Sequence, residues 1–181
     1  MGINKREIVA PLKFTFDSSR SRVWVNARSN LHPINTETSG ITGWIEASVL
    51  PSGGLDVDTP VAGRLELATD HLSSGNHLYD REMKRRIDAH RFPVIEGEIV
   101  SVQPGRRADR YTVAGDVSFH GRTRRFEHEM TIAVYDGSRI ELAGDYVFDI
   151  REFDMKPPSM LMLKVYPEVA VRIELIGTVD E

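Results

Sequence analysis

The sequence predicts an all-β protein: an antiparallel meander of about eight strands, closed into a barrel or folded as a sandwich, with one main α-helix inserted between strands. Three observations carry this. Apolar and polar residues alternate with a period of two over stretches of roughly seven to ten residues. Short segments rich in Gly, Pro, Asp and Ser separate those stretches. Only residues 71–93 (HLSSGNHLYDREMKRRIDAHRFP) read with a helical period. Strands with one apolar face, laid flat, would leave that face wet. Closure or stacking buries it and removes the sheet edges.

The elements follow in order. Residues 1–11 are polar, end at Pro11 and read as a loose arm. Leu12 to Phe16 is a short first strand, and DSSRS at 17–21 is a turn. From Arg22 to Ser29, Val23, Val25 and Ala27 share one face, with Arg22, Trp24, Asn26 and Arg28 opposite. Residues 30–39, containing Pro33, read as a loop. Ile41, Gly43, Ile45, Ala47 and Val49 line the next strand, and PSGG at 51–54 turns the chain into Val61, Gly63, Leu65 and Leu67. The helix spans 76–89, with Asn76 as N-cap and Asp80 near the positive end of the dipole. Leu78 or Tyr79, Met83 and Ile87 fall about one turn apart and form its apolar face. Pro93 requires that the helix has already ended.

Beyond Pro93 the period returns to two. Ile95, Gly97 and Ile99 form one strand, then 103–109 turns. Tyr111, Val113, Gly115, Val117 and Phe119 form the next. HisGly at 120–121 leads to Phe126, His128, Met130, Ile132 and Val134 on one face. AspGlySer at 136–138 is a hairpin turn into Ile140, Leu142, Gly144, Tyr146, Phe148 and Ile150. Residues 153–158 break the pattern. Two strand segments, 160–165 and 168–177, close the chain. Glycines recur on the apolar face at 43, 63, 97, 115 and 144, where they let strands bend and leave space inside. A packed interior with bends and a hollow one both fit this pattern.

Composition excludes several classes. The chain has 181 residues, enough for a single domain with a real core, and I, V, L-rich strands supply it. Formal net charge is −4, which argues against a nucleic-acid partner. No cysteine is present, so disulfides, thiol nucleophiles and Cys-ligated metals are absent. No apolar window is long enough to form an integral membrane segment. The opening MGINKREIVAPLKF lacks a secretory signature, so the expected compartment is the cytoplasm, with export open for a chain that has lost a leader. A homodimer is left open.

The chemistry-bearing residues are sparse. The six histidines form no i, i+4 or HxH pair, and neither a metal nor a cofactor is expected. His128 stands apart because it falls on the inward face. No GxSxG elbow and no phosphate-cradling glycine loop occurs. Glu127 and Glu129 sit on a face expected to be solvated, as do the basic runs at 84–86, 106–110 and 122–125. The segment FDMKPPSMLML (153–163) is methionine-rich, which suits either an adaptable apolar contact or ordinary gap filling. ProPro at 157–158 forces an extended loop there.

Four segments carry a resemblance. FTFDSSRSRVWV (14–25) has an aromatic residue, Asp, two residues and Ser before an alternating strand. Gly75, Asn76, Asp80, Met83, Phe92 and Pro93 follow, then YTVAGDVSFHGRTR (111–124), then REFDM (151–155). In this order they resemble the YceI-like, polyisoprenoid-binding family over most of residues 14–177, whereas RSNLHPINTETS (28–39) departs from the commoner family version. The resemblance implies an eight-stranded antiparallel lipocalin-like barrel with an elongated apolar cavity for a polyisoprenoid or other long-chain, lipid-like amphiphile. It also implies a carrier rather than an enzyme.

On that expectation the cavity is lined by Val23, Val25, Ile45, Val49, Leu65 and Leu67 from the early strands. Met83 and Ile87 come from the helix, and Val113, Val117, Phe119, Met130 and Ile132 from the central strands. Tyr146, Phe148, Phe153, Met160 and Met162 complete the lining. Arg28, His128 and Arg151 are the expected contacts to a polar head. Two other readings use the same fold. A lipocalin-like hydrolase or isomerase would pair His128 with a carboxylate such as Asp149, and a filled barrel would serve only as an interaction module.

Overall fold

The computed structural model describes residues 10–179. The expected arm over 1–11 therefore lies almost wholly outside the described residues. The strands are β1 (Leu12–Phe16), β2 (Arg22–Ser29), β3 (Ile34–Thr38), β4 (Thr42–Ala47), β5 (Ala62–Ala68), β6 (Val94–Pro104), β7 (Arg110–Phe119), β8 (Arg122–Tyr135), β9 (Arg139–Asp149), β10 (Ser159–Met160) and β11 (Leu163–Val179). Helix α1 (His77–Ile87) lies between β5 and β6. A 3-10 turn over Ile150–Phe153 follows β9.

The fold is a closed, eight-stranded antiparallel barrel. Strands run β1-β4-β5-β6-β7-β8-β9-β11 around the ring, and β1 pairs with β11 to close it. β2 continues beside β1 along the same edge of β11, and β3 pairs with β2. β1 with β2, and β3 with β4, are thus two broken strands that each count once around the barrel. Their breaks leave β3 as a sheet end with one pairing partner among the described residues.

The register follows the alternation read from the sequence. Val171 lies opposite both Val25 and Tyr146, and Val113 lies opposite His128, so inward residues meet inward residues. Outward faces carry ion pairs: Arg64 with Glu96 at 2.6 Å, Arg125 with Asp116 at 2.9 Å, and Arg172 with Glu174. Such exposed pairs contribute little each, ~0–1 kcal/mol, but they mark which face is wet.

Two expectations change. Residues 30–39 are not all loop, because 34–38 form β3. The alternation there is carried by Ile34, Thr36 and Thr38, and two of these are hydroxyl residues. Thr36 and Thr38 are nonetheless buried, since the Thr36 hydroxyl donates to Val25 O at 2.9 Å and satisfies itself. The closing segments 160–165 and 168–177 are not two strands: from Leu163 onward they form one long strand, β11. Its pairing with β2 shifts between Val165 and Val169, around Pro167, which has no N–H to give a ladder. β10 folds back on its start.

The barrel interior is packed at one end. Phe14, Ile45, Ala47 and Ile140 are fully buried there. The β4–β5 connection folds across that end and inserts Leu55, whose N–H donates to Tyr111 Oη at 2.9 Å. Gly43 allows the close approach of β4 to β5. Its φ is +144°, and a Cβ there would lie 2.1 Å from Arg64 O.

The helix forms as its sequence dictates. Asn76 Oδ1 accepts from the N–H groups of Leu78 (3.0 Å) and Tyr79 (3.3 Å), and Asp88 ends the helix in a left-handed conformation. Asp80 accepts from Ser73 Oγ, Ser74 Oγ and Ser74 N at 2.6–2.8 Å. Burial raises its pKa, but these bonds outweigh burial and hold the carboxyl below its ordinary range. Where the chain leaves and rejoins the barrel, buried Thr69 ties both ends together: its N–H and hydroxyl donate to Pro93 O at 2.8 and 3.1 Å.

Candidate binding cavity

Toward the α1 end the barrel is hollow. The cavity measures about 430 Å³, within the ordinary range for a small-molecule site. Its floor is Phe16, Ile41, Ile132, Leu142 and Leu175. Its walls are the inward residues of β2, β5–β9 and β11, and α1 covers one flank with Met83 and Ile87. The lining runs out past Ala27 and Ile34, Tyr79, and Pro158, Leu163 and Val165. The opening therefore lies between the β2–β3 hairpin, the start of α1 and the β10–β11 hairpin.

An aromatic wall occupies one side. Phe126 stands edge-on to Phe148 at 4.7 Å and to Tyr146 at 5.3 Å, and Phe119 packs edge-on against Phe153 at 5.8 Å. β8 and β9 supply Phe126, Tyr146 and Phe148 because aromatic residues sit at alternate positions there. The 3-10 turn, capped by Asp149 accepting from Arg151 N, swings Phe153 inward.

Glycines hold the lumen open. Gly63, Gly97, Gly115 and Gly144 all line it. A Cβ at Gly63 would meet Ile99 Cδ1 at 2.7 Å, and one at Gly144 would meet Met130 Cγ at 3.1 Å. Ile99 and Met130 lie over the missing side chains.

Polar chemistry inside is confined to a few groups. His128 is half-buried and edge-on to Tyr146 at 5.3 Å. Among the described residues no hydrogen bond reaches its ring. Burial pushes its pKa down from the ordinary 6.5, and Asp145 and Glu129 only partly oppose this. The neutral ring therefore presents one donor and one acceptor inside an apolar chamber. On the helix side, Glu82 accepts from Arg86 Nε at 2.7 Å and from Arg85, and these bonds hold its pKa at about 2.

Most of the residues expected to line the cavity do so: Val23, Val25, Leu65, Leu67, Met83, Ile87, Val113, Val117, Phe119, Met130, Ile132, Tyr146, Phe148 and Phe153, together with His128. Others lie elsewhere. Ile45 points inward but belongs to the packed end, and Val49 pairs with Leu55 in the plug over that end. Met162 is 79% exposed at a hairpin tip. The Met160 side chain lies outside the described residues. Arg28 points outward from β2 to Glu168 at 3.8 Å. Arg151 is taken up by Asp149, with Nε to Oδ1 at 2.9 Å, so neither arginine reaches the cavity. The same pairing removes Asp149 as a partner for His128.

Sequence reasoning missed Ile34, Thr36, Leu72, Tyr79, Val165 and Val169 as lining residues. For Ile34 and Thr36 the signal existed, hidden by counting Thr as polar. Leu72 sits in the irregular link before α1, where no period exists to read. Among the described residues, no group of three or more His, Asp or Glu could hold a metal, and no helix is long and apolar enough to cross a membrane.

Comparison with known proteins agrees with this architecture. The family model for the YceI-like domain matches residues 14–176. The fold is similar to the crystal structure of BcnA from Burkholderia cenocepacia, with a TM-score of 0.75 at 15% identity, covering 90% of this chain and 99% of that one. It is similar to a polyisoprenoid-binding domain from Saccharophagus degradans, with a TM-score of 0.69 at 9% identity over 93% and 99% of the two chains. It is similar also to a YceI protein of Campylobacter jejuni, with a TM-score of 0.62 at 11% identity over 85% of each. No curated protein matches the chain by sequence. With that match spanning the barrel from β1 into β11, the chain belongs to the YceI-like family.

Proposed function

We propose that the protein binds the apolar chain of a long lipid-like molecule, of the polyisoprenoid or fatty type, inside the barrel and carries it. The observation that supports this is the cavity itself: about 430 Å³, open at one end and lined almost wholly by apolar side chains. The drive for binding is burial of chain carbon. Burying about fifteen methylenes gains about 12 kcal/mol, and association costs roughly 4 kcal/mol or more. The remainder, about 8 kcal/mol, corresponds to a micromolar dissociation constant. The preformed lumen keeps the cost near its lower bound. His128 offers the ligand a neutral hydrogen-bonding contact, suited to a carbonyl or hydroxyl within the chamber rather than to a charged head. Binding is favoured over catalysis because His128 lacks a hydrogen-bonded acid–base partner among the described residues.

Native mass spectrometry of protein purified without detergent tests this. The expected spectrum carries adducts of lipid mass that a long-chain fluorescent probe displaces in a saturable manner. A protein free of adducts that also fails to bind the probe saturably would sink the reading.

A further inference from the structure

We propose that the open end of the barrel docks on an anionic lipid bilayer. Leu31, Leu78, Leu161 and Met162 surround the opening and are 61%, 63%, fully and 79% exposed. They belong to three segments that are tied into one rim. The Asn30 side chain donates to Met162 O at 2.9 Å and accepts from Lys164 N at 2.7 Å, which joins the β2–β3 and β10–β11 hairpins. The His32 ring bonds Tyr79 Oη at 2.9 Å, which joins the first hairpin to α1. Leu161 sits at the two-residue hairpin tip with φ of +54°. That conformation is disfavoured for leucine, yet the fold holds this side chain fully in solvent. Large apolar side chains gathered on one rigid rim mark an interaction surface.

Charge selects the occupant. Lys156 and Lys164 flank the β10–β11 hairpin, and Arg81 lies on the exposed face of α1 with Leu78. None of the three has an ion-pair partner among the described residues. The nearby acids are largely spent: Glu168 faces Arg28, Asp149 holds Arg151, Asp154 holds Arg122, Glu82 holds Arg85 and Arg86, and Asp80 is taken by serines. Among the described residues, exposed Glu152 on the 3-10 turn and Asp145 on β9 have no ion-pair partner. A second copy would set lysines against lysines. An anionic bilayer instead accepts the apolar tips and neutralises the cations. The docking needs only the rim and holds whatever the lumen contains.

Flotation of the full chain with vesicles decides the matter, using phosphatidylcholine alone and with about one-third phosphatidylglycerol. The expected result is co-flotation with the anionic vesicles, weakened by salt. Leu78→Asp combined with Leu161→Asp should lower partitioning about tenfold or more, and Lys156→Glu with Lys164→Glu should abolish the preference for anionic vesicles. All four positions are exposed, so each variant is checked for an unchanged thermal midpoint. Absence of flotation with both vesicle types, or unchanged flotation of the double-aspartate variant, overturns the proposal. So does a concentration-dependent dimer that the double-aspartate variant abolishes. Probe binding by native mass spectrometry, run on the same samples, reports the lumen separately.

Discussion

Removing the α1 cap separates a movable flank from a fixed wall. Asn76→Ala leaves the Leu78 and Tyr79 N–H groups, now bound at 3.0 and 3.3 Å, to water. The second bond is long, so the loss belongs near the middle of the range for such caps, about 1 kcal/mol. At room temperature that shifts a local opening equilibrium about fivefold. Other ties remain, since Thr69 still joins the ends of the excursion and His32 still holds Tyr79. The effect should therefore stay within the helix. Hydrogen exchange read by mass spectrometry should show peptides across 77–87 exchanging about fivefold faster, with β6–β9 unchanged. Release of a bound long-chain probe should quicken with the helix, and Asn76→Ser should restore both rates. If the strands accelerate by the same factor as the helix, α1 is part of one cooperative unit with the barrel. The idea that it opens by itself is then wrong.

Other perturbations read different parts of the molecule. His128→Leu should remove a pH dependence: the folded protein disfavours the imidazolium, so the unfolded chain binds that proton more tightly. Stability from this site is thus complete above the ordinary pKa of 6.5 and falls as pH drops below it. Urea midpoints measured on either side of that value should diverge in the native sequence and converge in the variant; parallel slopes in both would refute it. Gly63→Val should cost about 1–3 kcal/mol, because Ile99 and the Trp44 carbonyl crowd the site, and it should lower probe capacity by filling the lumen. Leu55→Ala should unseat the plug and cost about 2–5 kcal/mol in chemical denaturation, while probe affinity, set at the other end, stays the same.

The barrel was legible because closure imposes one rule on every strand. Inward positions must be apolar or small, outward ones polar, and that rule shows at Val113, Val117 and Phe119 as plainly as at Val171 and Ile173. The rule fails where a polar side chain satisfies itself. Thr36 returns its hydroxyl to Val25 O and then behaves as a buried residue, so a strand that hides it looks like a loop. Charged side chains mislead for a different reason. Arg28 and Arg151 lie close to the opening in sequence terms, but each has an acid beside it on the wet face. A local ion pair keeps the charge hydrated, whereas turning it into the lumen would strip that hydration with no partner in return.

Whether the interior is full or empty depends on pairings that a one-dimensional pattern does not carry. Both ends of the barrel show the same alternation. At the packed end, Phe14, Ile45 and Ile140 meet across the lumen, and Leu55 enters from a connection outside the periodic pattern. At the other end, inward positions hold Gly63, Gly97, Gly115 and Gly144, and the β5–β6 and β9–β10 connections lay Leu72, Met83, Ile87 and Phe153 along the wall without filling the space. The register sets neighbours such as Gly97 beside Leu65 and Val117, so a larger side chain lies over the space each glycine leaves: Leu65 over Gly97, Ile99 over Gly63 and Met130 over Gly144. Glycine count therefore signals bending in any barrel. Glycines on the inward faces of several strands, with no connection inserting a side chain over them as Leu55 does at the other end, signal a chamber. That distinction rests on which side chains the connections bring inward, and it is why one end of the barrel is packed and the other hollow.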